Sequence, residues 1–174
     1  MARYVTRNLG CGRALALDRE ALRTCDDRLV KESWPPVLRR TVEAAEAQCR
    51  DLRHGYLGTE HLLLGLLACE DTSAARRVVQ AGGSLEDVRS LVVRIVGQGA
   101  EGTEYRWRPY TTNAAAVCVR VADEAERFGP GAIGTEHVLR AVLRRRSIAF
   151  HVLADLGVDP EALANGVPRL RRGG

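Results

Sequence analysis

The tetrapeptide Gly-Thr-Glu-His stands at 58–61 and again at 134–137, and each copy leads into an apolar run with helical spacing. Such a chain folds as two versions of one unit, because a chance motif would not carry its flanks with it. At an offset of 76 residues, Leu38, Thr41, Val42, Ala45, Cys49, Leu52 and Leu57 correspond to Ala114, Val117, Cys118, Val121, Ala125, Phe128 and Ile133. After the motif, Leu62, Leu63, Leu66 and Leu67 correspond to Val138, Leu139, Val142 and Leu143. One residue is then lost, and Ala74, Val78, Gly82, Glu86 and Val88 match Ala149, Leu153, Gly157, Glu161 and Leu163 at an offset of 75.

Helical periodicity runs through both copies, so the expected fold class is all-α. Val37, Leu38, Thr41, Val42, Ala45, Cys49 and Leu52 share one face, with Arg39, Arg40, Glu43, Glu46 and Arg50 mainly opposite. Thr59 is placed to cap the next helix, and Glu60 puts negative charge at the positive end of its dipole. A third helix covers Ala74 to Ala81 and stops at Gly82-Gly83. A fourth starts after Ser84, which can cap with Asp87 three residues on, and ends at Gly97. Gly97 to Pro109 reads as a flexible linker, and the second copy restarts near Thr111. Its last helix opens with Asp159-Pro160 but is cut short by Gly166 and Pro168.

Composition limits the function classes. With 45% hydrophobic residues in 174, the chain can bury one sizeable core or two small fused ones. No apolar stretch approaches the roughly 20 residues that cross a bilayer, and 1–12 lacks the apolar block of a signal peptide, so a cytoplasmic setting with no membrane partner is expected. The five cysteines form no C-x-x-C pair, which points away from a disulfide framework or zinc site. His61 and His137 each lack a second His one turn away and read as packing or hydrogen-bonding residues, so no metal and no cofactor is expected. Net charge is +4 with both signs mixed along the helices, a weak case for nucleic acid. Gly129 to Thr135 has the glycine spacing of a phosphate loop but Thr where Lys is required, and Gly97, Gly99 and Gly102 read as a helix stop.

The amphipathic helix, then Gly-Tyr-Leu-Gly-Thr-Glu-His-Leu-Leu-Leu-Gly-Leu-Leu at 55–67, then Gly-Ala-Ile-Gly-Thr-Glu-His-Val-Leu at 131–139, resembles the double Clp repeat. That module is the N-terminal domain of Clp-type AAA+ unfoldases, and the resemblance is to the ClpC branch. It implies two tandem four-helix repeats related by a pseudo-two-fold, the second truncated at its last helix. The implied organisation is an N-terminal extension at 1–33 with one candidate helix, repeat one at 34–97, a linker at 98–109, repeat two at 110–165, and a flexible basic tail at 166–174. It also implies a non-catalytic module that binds adaptors and substrates in protein quality control. A chain carrying this domain without the motor would act as an adaptor, a competitor, or a decoy for ClpC-directed cyclic peptides. Its partners would be Clp adaptor, substrate or unfoldase proteins.

ClpC-like members also recognise phosphorylated arginine, so arginine-phosphorylated peptides join the implied partners. A helix N-terminus with a Thr hydroxyl offers donors to the phosphate, and a Glu accepts from the guanidinium. In the family pattern the Thr lies 25 residues before the motif Glu. Counting back from Glu136 reaches Thr111, while counting back from Glu60 reaches Pro35, which has neither hydroxyl nor N–H. The resemblance thus favours a pocket of Thr111 with Glu136 and leaves Glu60 the weaker candidate; Thr59, Glu60, Thr135 and Glu136 are also what any well-capped helix start uses. Trp34 and Tyr110, just before the first helix of each repeat, and Arg144, Arg145 and Arg146 are candidates for partner surfaces, with the two aromatics reading equally as ordinary core caps and the arginine run as a solvated surface. The arginine run and basic tail also leave open a rival reading as a nucleic-acid-binding helical protein. A hydrolase using Cys69 or Cys118 with His61 or His137 has no nucleophile motif behind it.

Overall fold

In the computed structural model of the chain, residues 34–101, 108–143 and 147–167 are described. Repeat one supplies α1 (Pro36–Asp51), α2 (Thr59–Leu67), α3 (Ser73–Gln80) and α4 (Leu85–Val96). Repeat two supplies α5 (Thr112–Phe128), a 3-10 turn (Pro130–Ala132), α6 (Thr135–Leu143), α7 (Ile148–Asp155) and α8 (Pro160–Asn165). The all-α class and the duplicated four-helix plan are those expected. The shortened end is there too, since α8 has 6 residues where α4 has 12.

Most helix starts follow from local chemistry. Ser84 accepts from the Asp87 N–H, Thr72 from Ala75, Thr111 from Ala114, Ser147 from Phe150, and Asp159 from both Glu161 and Ala162. Each satisfies an N–H that a helix start leaves without an intrahelical acceptor. Thr59 is a correction. The N-cap of α2 is Gly58, no side-chain cap bond is made there, and Thr59 is the first helical residue.

The centre of the molecule is α2, all nine of whose residues are buried. It packs on α1, α3 and α4 of its own repeat and on α5, α6 and α7 of the other, while α3 packs on α6. The two repeats therefore share one continuous core, in which Leu38, Leu52, Leu62, Leu63, Leu64, Leu139 and Leu153 are fully buried. A parallel bridge joins them where the chain enters α2 and α5: Leu57 N donates to Pro109 O and Thr111 N to Leu57 O, both at 2.9 Å.

Two expectations about surfaces and links change. Trp34 and Tyr110 are 3% and 8% exposed and meet edge to face, with ring centroids 6.4 Å apart, inside the core. They seal the ends of the two first helices against each other and are not partner anchors. The start of the linker is also held, not free: Gly99 N donates to Leu52 O at 2.9 Å, and a Cβ on Gly99 would overlap the Arg53 carbonyl. At the other end, Arg108 Nε donates to His54 O at 2.9 Å. The expectations for 1–33, for Arg144, Arg145 and Arg146, and for the tail from 168 lie outside the described residues. Among the described residues no helix is long and apolar enough to cross a membrane.

Candidate functional site

Both Gly-Thr-Glu-His copies fold alike at their first turn. The histidine, three residues into the helix, turns back so that its Nδ1 accepts the glycine N–H at 3.0 Å, in Gly58–His61 and in Gly134–His137. This is the reverse half of a capping box, with imidazole in place of Glu or Gln. The glutamate folds back over the glycine, so that a Cβ at Gly58 or Gly134 would fall on the carboxylate of Glu60 or Glu136. A side chain at the glycine would have to displace that carboxylate. Glycine is not required by backbone angle, because Gly58 has an ordinary extended φ of −106°.

The two glutamates then part company. Glu136 accepts a hydrogen bond from the Ser73 hydroxyl at the start of α3, in the other repeat. Thr135 Oγ1 lies 3.0 Å from Ser73 Oγ and accepts the Ala74 N–H at 3.2 Å. The Thr-Glu pair of repeat two is therefore a cap for a helix of repeat one. Burial alone would raise the Glu136 pKa, but the Ser73 bond, its backbone bond, His137 and Arg77 outweigh it and hold the carboxyl below its usual value. A double-mutant cycle on Ser73→Ala and Glu136→Gln is expected to give a coupling of about 1–2 kcal/mol by urea denaturation. Additive effects would mean the contact contributes nothing.

Glu60 has no such partner. The position matching Ser73 is Ile148, which carries no donor, and the Glu60 carboxylate is 1% exposed with Oε1 lacking any hydrogen-bond partner among the described residues. The Tyr56 hydroxyl and Thr59 bond the group, but burial dominates and pushes its pKa up. A buried acceptor without a donor costs roughly 1–3 kcal/mol, a cost a ligand could relieve.

Thr111 and Glu136 are not brought together. α6 runs back along α5, with Arg140 Nη2 3.1 Å from Glu124 Oε2 near the far end of α5. Glu136, one turn before Arg140, lies beyond that point, while Thr111 caps the opposite end, roughly 20 Å away at 1.5 Å per residue. An antiparallel pair places its two N-termini at opposite ends, so a Thr and Glu 25 residues apart cannot share a pocket within one repeat. The bridge at Leu57 instead sets Thr111 beside the Gly58-Thr59-Glu60 turn, and Thr59, Asn113, Ala116 and Arg120 line one narrow cleft there. The bridge thus brings the start of α5 alongside the residues that lead into α2 of the other repeat.

Behind the turn lies a polar chain that residue patterns did not reveal. Gly58 N–H binds His61 Nδ1, His61 Nε2 is 2.8 Å from His54 Nδ1, and His54 Nε2 is 3.0 Å from Gly97 O. Burial, then His54 and Arg108, pushes the His61 pKa down to about 3. His61 in the unfolded chain takes up a proton near pH 6.5, whereas the folded one does not until about 3. Its contribution to stability is therefore full above 6.5 and is lost as pH falls towards 3, by up to about 1.4 kcal/mol per unit. The raised Glu60 works with the opposite sign, so the effect must be isolated by difference. The stability advantage of wild type over His61→Gln should shrink between pH 7.5 and 5.5 in urea denaturation; a constant advantage would refute it.

Among the described cysteines Cys49 and Cys118 are buried and Cys69 is half-buried, and burial pushes the Cys49 thiol up to about 12. Among the described residues, no group of three or more His, Cys, Asp or Glu could hold a metal ion.

A duplicated, all-helical domain whose two motif turns face the partner repeat defines a class of pseudo-symmetric double-repeat modules. The chain belongs to the Clp repeat (R) N-terminal domain family, which matches residues 36–156 and 109–171. It is 32% identical over 154 residues to the chloroplastic chaperone protein ClpC2 of Arabidopsis thaliana, covering 87% of this chain but 16% of that protein. Chloroplastic ClpC1 of the same plant is 35% identical over 133 residues, 75% of this chain and 14% of that one. The chain thus spans a small part of these relatives. The fold is similar to the crystal structure of the N-terminal domain of the caseinolytic protease associated chaperone ClpD from Arabidopsis thaliana, with a TM-score of 0.62 at 19% identity, covering 79% and 94% of the two chains.

Proposed function

We propose that this domain is a non-catalytic protein- and peptide-binding module of Clp-dependent protein quality control, an adaptor or competitor that reads phosphorylated arginine through one site built across its repeats. The observation that carries the reading is the buried Glu60 carboxylate with an oxygen lacking a donor, next to the N-terminus of α5. A guanidinium would supply that donor in a charge-assisted bond. The phosphate would meet the N-terminal N–H groups of α5 and the positive end of its dipole. The Thr111 oxygen already accepts the Ala114 N–H at 3.2 Å, which leaves the hydroxyl proton to donate. The pairing fails on the other side, where Pro35 has no donor and Ser73 already occupies Glu136.

Calorimetric titration at pH 8 should give one saturable site for phosphoarginine, with free arginine and phosphoserine at least about tenfold weaker because each supplies half of the recognition. Equal affinity for arginine, or no heat at all, would overturn the reading. Affinity should fall on acidification, and from a higher pH than an ordinary carboxylate would show, because burial raises the Glu60 pKa and the neutral acid has no charge for the guanidinium.

A further inference from the structure

The turn between α1 and α2 holds more than its length requires. Arg53 takes a left-handed φ of 59°, and His54, 6% exposed, follows it. Its N–H donates to Cys49 O at 2.9 Å, closing α1. Its carbonyl accepts from Arg108, and its ring nitrogens bind His61 and Gly97. The ring also stacks on Tyr56, with centroids 5.6 Å apart and planes at 8°, and the Tyr56 hydroxyl bonds Glu60. Three stretches of chain therefore hang on one side chain and its carbonyl: the first turn of α2 with the Glu60 carboxylate, the end of α4, and the segment entering α5.

The proton inventory of this chain has one solution. Gly58 N–H can only donate, so His61 Nδ1 must accept and the neutral ring carries its proton on Nε2. That proton goes to His54 Nδ1, whose own proton then sits on Nε2 and goes to Gly97 O, which can only accept. Every bond points the same way, from the α2 turn to the end of α4. Reversing one tautomer would set two N–H groups against each other at Gly58 or two acceptors at Gly97. In repeat two Pro130 stands where the offset of 76 places His54, so the relay belongs to repeat one alone.

We propose that His54 is a positioning residue for the site across the repeats: through His61 it holds the Gly58–Glu60 turn and through Arg108 the approach to Thr111, so the two halves of the site keep their spacing by a shared anchor. The inference rests on the proposed site only for its ligand consequence; the anchoring itself is tested without ligand.

The first measurement is on wild type: long-range nitrogen–proton NMR spectra should show both His54 and His61 as neutral rings with the proton on Nε2. A proton on Nδ1 of either ring overturns the relay. The second is amide hydrogen exchange of His54→Ala and of Arg108→Gln. In His54→Ala the Gly58, Gly99 and Thr111 amides should exchange at least about tenfold faster, while amides inside α7 keep their wild-type rates. Arg108→Gln should loosen Thr111 but not Gly58. A uniform rise across the molecule, or no rise at Thr111 in either variant, overturns the anchoring. If the exchange result holds and phosphoarginine affinity is unchanged in His54→Ala, the anchor stands and the ligand assignment falls.

Discussion

Glutamine in place of Glu60 is expected to weaken phosphoarginine by about 30-fold or more, while glutamine in place of Glu136 changes it less than about threefold. The first figure follows from removing one charge of a buried, hydrogen-bonded pair, which costs upwards of about 2 kcal/mol. Stability should move the other way. Glu60→Gln removes a buried carboxylate that has an oxygen without a donor and should be neutral or stabilising in the free domain. Glu136→Gln loosens the cap on α3 and should cost about 1 kcal/mol. Two glutamates in identical tetrapeptides would then carry separate tasks, one for ligand and one for cohesion. Calorimetry and urea denaturation on the same two variants decide it, and loss of binding in Glu136→Gln with retention in Glu60→Gln would reverse the assignment.

Alanine at Gly65 is the substitution expected to harm the fold most for its size. A Cβ there would lie 2.6 Å from Thr41 O and 2.7 Å from Ala45 N, both main-chain atoms of α1 that cannot step aside without moving the helix. On an exposed helix the change from Gly to Ala would gain about 1 kcal/mol. Here the sign should reverse. Separating α1 from α2 opens the layer that holds Leu38, Leu62 and Leu63, and overpacking of this kind costs about 1–3 kcal/mol or more. Repeat two shows why the effect is local: the matching residue is Ala141, buried at 5% exposure, so a Cβ is accommodated at that position of α6. Ala141→Gly should cost only about 1 kcal/mol. Thermal unfolding of both variants checks the contrast, and a Gly65→Ala protein as stable as wild type would contradict the close approach.

Much of this architecture is legible in the chain because duplication doubles the signal. The faces of α1 and α5, the caps at Ser84, Thr111 and Asp159, and the short α8 all follow from spacing and local hydrogen bonding. The site was harder to read. Counting 25 residues from Thr111 to Glu136 treats each repeat as self-contained, but an antiparallel helix pair separates its N-termini, and only the docking of the repeats joins Thr111 to Leu57, at the entry to α2. That docking depends on contacts such as Ser73 with Glu136, 63 residues apart, which no local pattern encodes. Trp34 and Tyr110 left two readings open for a related reason, and their burial matches the core-cap one. An aromatic residue before a helix looks exposed until its symmetry mate arrives to cover it. His54 gave one faint signal, standing seven residues before His61 with Pro130 at the matching place, and only the structure shows the bond between the two rings.

In the proposed function, ligand binds where the two repeats meet, at Glu60 and Thr111. The most direct test is the map of backbone amide shifts as phosphoarginine is added to the 15N-labelled protein. Binding at that place should give saturating shifts clustered at Gly58, Thr59, Glu60 and at Thr111 to Asn113, with Ser73, Ala74 and Glu136 unmoved. Shifts centred on Gly134 to Glu136 and Ser73, or none at any concentration, would contradict it.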